Sequence, residues 1–248
     1  MDTAAALIAE NAAFAELFRT ADSDTPVPTC PEWTLQQLMR HVGRGDRWCA
    51  QIVAEQSMDY VDPRTVPGGK PPAGRDGEIG WLHDGVTALL DAVGGTGPDT
   101  EVWTFLGPRP ARWWIRRRLH ETLVHRGDAA LALGLPFEAA PDLAADAITE
   151  YLERVVIRSA DAPPLHEGQS VHLHATDPDL DGVGEWTILV RADGIAMDHE
   201  HGKADVAVRG PARDLLLALV RRGAAADLGL EVFGDRAVWD AWLARTPF

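Results

Sequence analysis

Lysine is almost missing from this chain: only Lys70 and Lys203 occur, and arginine carries nearly all the positive charge. Cysteine is as scarce, with Cys30 and Cys49 alone. Two cysteines cannot build the multi-bridge framework that staples small secreted domains. No apolar run approaches the ~20 residues that a membrane-spanning helix needs, so no membrane partner is expected. Internal repeats and low-complexity tracts are also lacking. The first residues read as a helix containing Glu10 and Glu16, not as a secretory leader, and the expected setting is the cytoplasm. Net positive charge is absent as well: the formal charge is −15. Such a chain repels phosphate backbones, which argues against nucleic acid as a partner unless cations are concentrated. The densest cationic run, Arg112, Arg116, Arg117 and Arg118, reads as part of one helix.

What is present divides into two patterns. The 248 residues suit one large domain or two small ones. Residues 2 to about 160 read as helical. Leu7, Ile8, Phe14, Leu17 and Phe18 are spaced for a buried stripe on a first helix. Thr34, with Gln37 three residues on, is a capping-box start for a second helix whose apolar positions include Leu35, Leu38, Val42, Cys49 and Ile52. A third helix carries Ile79, Leu82, Val86, Leu89 and Val93, and Gly94, Gly95, Gly97 and Pro98 are expected to end it. A fourth runs from after Pro110 to about Leu133, closed by Gly134 and Pro136. Four amphipathic helices joined by loops predict a four-helix bundle, and a fifth, about 142–159, is expected to lead out of it.

After Pro163-Pro164 the period becomes two. Val171, Leu173 and Ala175 alternate with polar residues, as do Trp186, Ile188 and Val190, then Ile195 and Met197, then Val206 and Val208. These are half-buried strands, with a hairpin turn at Asp193-Gly194. Two helices follow, 211–222 and 235–245. The expected fold is therefore α+β: a helical domain over 1–160 and a small α+β domain over 161–248.

Glu121 and His125 stand four apart on the fourth helix, so both can reach one ion. The same face holds Trp114, Arg118 and Asp128. Spacing alone leaves two readings open, a metal site or a solvated pair. It also leaves His41, on the apolar side of the second helix, as either a ligand or a hydrogen-bonded core histidine.

The flanking residues favour the metal. Val27-Pro28-Thr29-Cys30-Pro31-Glu32-Trp33-Thr34, with Leu35, Leu38 and His41 after it, resembles the opening of the mycothiol-dependent maleylpyruvate isomerase family. So does His120-Glu121-Thr122-Leu123-Val124-His125-Arg126-Gly127-Asp128-Ala129. The second half is similar at Leu173-His174-Ala175-Thr176-Asp177-Pro178, Gly184-Glu185-Trp186, Val208 to Leu216 and Gly234-Asp235. The resemblance implies a DinB-like four-helix bundle followed by a small α+β sterol-carrier-like domain. It implies His41, Glu121 and His125 as ligands of a divalent metal, zinc by preference, and mycothiol as the thiol cosubstrate. The chain departs from the family pattern at three places. Asp46 stands where many relatives have a second histidine, Gly127 where many have tryptophan, and Arg221 where a glycine usually precedes arginine.

Two imidazoles and a carboxylate suit Zn²⁺ and leave a coordination position open, the mark of a catalytic site. The expected chemistry is attack of a metal-stabilised thiolate on a small electrophile, either as a maleylpyruvate-type cis–trans isomerase or as a mycothiol S-transferase. The alternative is a metal- and ligand-binding protein without turnover. Arg118 and Arg222 are the cations proposed for a dicarboxylate substrate, with an ordinary surface ion pair as the alternative for Arg118. Asp128 is a candidate to orient a ligand histidine. His172 and His174, with His199 and His201, could hold a second metal beside Asp198 and Glu200. Strand alternation explains them as polar residues on a half-solvated face, and that is the expectation. Cys30 and Cys49 read as small buried hydrophobes, Trp113 and Trp114 as packing residues, and Gly94-Gly95-x-Gly97 as no phosphate loop, since no strand precedes it.

Overall fold

The computed structural model describes residues 1–159, 162–180 and 182–246. The chain separates into two compact units, Met1–Phe137 and Glu138–Phe248. Among the described residues no helix is long and apolar enough to cross a membrane.

The first unit holds α1 (Thr3–Phe18), α2 (Leu35–Ala54), α3 (Arg75–Thr96) and α4 (Arg112–Ala132). Asp2 caps α1 through the Ala4 and Ala5 amides. At the start of α2, Gln37 Oε1 accepts the Thr34 backbone N–H at 2.8 Å, the reciprocal half of a capping box. The helices meet across a core that includes Phe14, Phe18, Leu35, Leu38, Val42 and Leu82. Each such side chain contributes about 1.5–3 kcal/mol on burial.

The buried stripe of α1 runs Leu7, Asn11, Phe14, Phe18. Ile8, expected in it, is exposed, because a 3.6-residue period puts Asn11 on the inner face instead. Asn11 Oδ1 is satisfied by His83 Nδ1 at 2.9 Å. Gly94 and Gly95 do not end α3. The helix runs through both and closes at Gly97, whose φ of 99° is open to glycine. A two-stranded ribbon, β1 (Glu101–Val102) with β2 (Arg109–Pro110), leads into α4. Two-residue strands are too short for alternation to reveal.

The α2–α3 crossing depends on a glycine. A Cβ at Gly43 would run into the Trp81 ring. That ring cannot easily yield: its Nε1 donates to the Gly68 carbonyl at 2.7 Å and the Arg47 guanidinium lies over it at 4.3 Å. Gly43→Ala is therefore expected to cost about 1–3 kcal/mol through overpacking, read as a lowered Tm in thermal unfolding. An unchanged Tm would show that the ring relaxes freely.

The second unit holds α5 (Pro141–Arg158), β3 (Ser170–Ala175), β4 (Glu185–Arg191), β5 (Gly194–Asp198), β6 (Val206–Gly210), α6 (Ala212–Leu219), β7 (Glu231–Gly234) and α7 (Arg236–Arg245). The sheet order is β5-β4-β3-β6-β7. Only β3–β6 is parallel; β3–β4, β4–β5 and β6–β7 are antiparallel. Val171, Leu173, Trp186, Ile188, Val206 and Val208 are buried, as the alternation predicts. The β4–β5 hairpin forms with its turn at Ala192 and Asp193, and Gly194 pairs with Arg191. The edge strand β7 was not expected; its Phe233 is exposed, so no alternating core pattern marks it.

The domain boundary expected at residues 160 and 161 falls outside the described residues. The compact units divide earlier, because α5 packs on α6 and β5 and Trp186 Nε1 donates to Thr149 Oγ1 at 2.9 Å. The expected exit helix thus belongs to the second unit's core.

Candidate metal centre

Three donors from two helices converge in the first unit. Leu38 and Val42 seat α2 in the core, which leaves His41 between them half-buried at its edge. On α4, buried Leu119, Leu123 and Ala130 turn Glu121 and His125 toward the same place. His41 Nε2 lies 3.0 Å from Glu121 Oε1, and His125 Nε2 lies 3.8 Å from that same oxygen. The ring centres of His41 and His125 are 5.0 Å apart and nearly perpendicular. One ligand atom from each of the three lies within 4.8 Å of the other two.

The surroundings set the protonation of these groups. His125 Nδ1 bonds Asp128 Oδ2 at 2.8 Å, which turns Nε2 inward. Burial lowers the His125 pKa, against the pull of Asp128, so the neutral ring with a free lone pair is favoured. Burial alone would raise the Glu121 pKa. Arg117 and Arg118, with the His41 bond, outweigh it and hold the carboxyl well below its usual range. Arg117 Nη2 donates to Glu121 Oε2 at 2.8 Å, and Arg118 Nη1 stands 3.4 Å from the same atom. Glu121 therefore keeps Oε1 toward the histidines and Oε2 toward the arginines.

The segment before α2 braces the centre. Val27 and Trp33 close it with a backbone bond of 2.9 Å. Thr29 Oγ1 donates to Asp128 Oδ1 at 2.5 Å, and Cys30 Sγ lies 3.5 Å from Asp128 Oδ2. The Trp33 ring packs on His41 at 4.9 Å between centres. Cys30 is thus only half-buried and bonded to the residue that orients His125, not the buried hydrophobe expected. Cys49 is buried, and burial pushes its thiol pKa far up. Trp114 joins Trp48, Tyr60, Trp103, Phe105 and Trp113 in an aromatic cluster, mostly edge-to-face with Trp103 stacked on Trp114, so the paired tryptophans do pack.

The donor set fits a divalent metal. It offers two imidazole nitrogens and an ionised carboxylate oxygen, the ligand chemistry of zinc sites with an open position.

Comparison with known proteins bears on this arrangement. Residues 4–130 match the family model described as the mycothiol maleylpyruvate isomerase N-terminal domain. That is more than half of the chain. The chain belongs to the mycothiol maleylpyruvate isomerase family. Residues 142–241 match that family's MDMPI C-terminal domain. The chain's fold is that of a solved mycothiol-dependent maleylpyruvate isomerase, with a TM-score of 0.61 at 16% identity over 90% of this chain and 89% of that one. A histidine-to-alanine mutant of that enzyme superposes with a TM-score of 0.60 at 15% identity, over the same shares of each chain. Among curated proteins, none matches the chain significantly.

Arg118 is not in the surface ion pair weighed for it. It is buried, its Nε donates to Asp46 Oδ1 at 2.7 Å, and its Nη2 donates to the Val42 carbonyl at 2.9 Å. Asp46 is fully buried as its partner. Arg222 lies in the second unit, where its Nη1 donates to the Val220 carbonyl at 2.7 Å. Three other cations were not assigned to the site from the sequence. Arg40, Arg44 and Lys70 line a cleft of about 540 Å³ that also includes Trp33, Gln37 and His41. Arg44 stands one turn after Arg40, which spacing could have flagged. Lys70 lies in the Pro/Gly-rich loop, where no pattern links it to His41. Arg117, read only as part of a cationic run, stands four residues before Glu121, a spacing at which the two can pair.

Proposed function

We propose that this chain is a divalent-metal-dependent enzyme that uses mycothiol as a thiolate nucleophile toward a small anionic electrophile. The observation that carries the proposal is the convergence of His41 Nε2, Glu121 Oε1 and His125 Nε2 beside a cleft walled by cations. A divalent metal, zinc by preference, supplies charge that keeps a low-molecular-weight thiol as its thiolate at neutral pH, where a free thiol of pKa ~8.5 is mostly protonated. His41, Glu121 and His125 would hold it. Asp128 keeps the His125 lone pair inward, and Arg117 keeps Glu121 ionised.

In the isomerase version the thiolate adds to a conjugated cis double bond. The resulting single bond rotates, and expulsion of the thiolate leaves the trans acid with no net change in atoms. In the transferase version the thioether persists. Arg40, Arg44 and Lys70 suit the carboxylates of such a substrate, as neighbouring cations that do not consume the metal ligands. Arg118, bonded to Asp46, acts through Glu121 by positioning it.

The test is steady-state turnover of maleylpyruvate and of an alkylating electrophile, with and without mycothiol. Turnover only with mycothiol is expected. Arg44→Ala is expected to raise KM for the dicarboxylate roughly 10–100-fold, the worth of one charge-assisted hydrogen bond, with kcat little changed. Metal binding without thiol-dependent turnover of either substrate would overturn the proposal, and an unchanged KM would remove Arg44 from it.

A further inference from the structure

We propose that the second unit carries its own divalent-cation site, formed by His172, Glu185 and His201. The sheet register brings the first two together. Glu185 of β4 pairs with His174 of β3, and Thr187 pairs with His172, so His172 and Glu185 are diagonal neighbours on one face. Long side chains reach each other across such a diagonal. The stretch after β5 then folds back over this face. Thr187 Oγ1 donates to the Glu200 carbonyl at 2.8 Å, and His199 Nδ1 bonds the Glu185 carbonyl at 3.0 Å. Both bonds hold His201 above Glu185.

The result repeats the ligand arrangement of the first unit. His172 Nε2 and His201 Nδ1 both meet Glu185 Oε2, at 2.8 and 2.7 Å. In the first centre, His41 Nε2 and His125 Nε2 meet Glu121 Oε1. The two rings stand 5.1 Å apart at 88° in the second unit, against 5.0 Å at 82° in the first. One ligand atom from each of His172, Glu185 and His201 lies within 4.8 Å of the others. His174 stands on the same face, its ring centre 6.1 Å from each of the two histidines.

Burial grades the site in a way that suits an exchangeable ion. The His172 side chain is 4% exposed and Glu185 25%, while His201 is 74% exposed. Two donors are thus anchored in the sheet, and the third stands at the surface. Donors around a tetrahedral zinc at ~2.0–2.1 Å stand roughly 3.3 Å apart. Reaching that from the present 2.8 and 2.7 Å opens each contact by about half an ångström, through rotation of the Glu185 carboxylate and of the exposed His201 ring. Two imidazoles with a carboxylate select zinc and its borderline neighbours over magnesium or calcium. The net charge of −15 favours cation capture generally.

The experiment is zinc titration of the metal-stripped full chain against a coloured chelator. It is run on the wild type, His172→Ala/His201→Ala, His41→Ala/Glu121→Gln, and all four changes together. The expected stoichiometries are about two, one, one and zero zinc ions per chain, since each site holds a single ion. Glu185→Gln keeps the side-chain size and serves if the double alanine variant fails to fold; it too is expected to lose one equivalent. A His172/His201 or Glu185 variant that binds as much zinc as the wild type would overturn the proposal and leave the cluster a histidine–carboxylate hydrogen-bond network. Loss confined to the His41/Glu121 variant would do the same while preserving the first centre.

Discussion

Replacing His41 by alanine is expected to remove about one equivalent of divalent metal from the purified chain, and mycothiol-dependent turnover with it. Two donors remain in that variant, His125 and Glu121, and both stand on one helix. A lone i, i+4 pair lacks the three-sided grip that holds zinc in an open catalytic site. Glu121→Gln tests the same centre differently, because it keeps the shape and removes the charge that Arg117 and Arg118 face. Asp128→Asn is milder. It keeps a hydrogen bond to His125 but weakens the orientation of the ring, and about 10–100-fold in metal affinity is expected. Elemental analysis of the variants beside the wild type checks all three. Equal metal content in the wild type and His41→Ala would sink the centre.

Arg118→Leu should be among the most destabilising single substitutions in this chain. It leaves the Asp46 carboxylate fully buried without its cation. Breaking a buried pair from one side costs about 3–5 kcal/mol, which in a chain of this length lowers Tm by about 6–20 °C. Asp46→Leu leaves the guanidinium with Glu121 and the Val42 carbonyl, and is expected to cost less. The double variant, Arg118→Leu with Asp46→Leu, should recover much of the loss, because no uncompensated charge then remains. Thermal unfolding of the four chains closes the cycle. A different outcome has a clear meaning: Arg118→Leu that keeps its Tm but loses turnover would place the guanidinium on substrate, not on Asp46 and Glu121.

The proposed metal ligands were legible to different degrees. Glu121 and His125 share a helix face by spacing alone, and the helix delivers both to one point. His41 needed the flanking residues, because nothing local says that α2 faces α4. Asp128 was read as a candidate to orient a ligand histidine, and its Oδ2 lies 2.8 Å from His125 Nδ1. Arg118 shared the ligand face and was weighed as a substrate cation or a surface pair. Its partner Asp46 lies 72 residues earlier, a separation that no periodicity spans. The histidines of the second unit were assigned to a half-solvated face by alternation. Alternation is correct about the face but says nothing of what folds over it, and His172 is buried.

The sequence by itself determined the helices, most of the strands, the α+β class and the pairing of Glu121 with His125, because these depend on neighbours within about one helical turn or one pleat. Its bulk composition excluded a disulfide framework. Only the tertiary structure decided which groups meet across the chain. It sent Arg118 to Asp46, tied Thr29 and Cys30 to Asp128, set Lys70 beside His41 in one cleft, moved α5 into the second unit, and closed His201 over Glu185. Each of these contacts joins residues that no local period relates. Core packing chooses the partners, through the burial of Leu38, Val42 and Leu123 on one side and of Leu173 and Trp186 on the other.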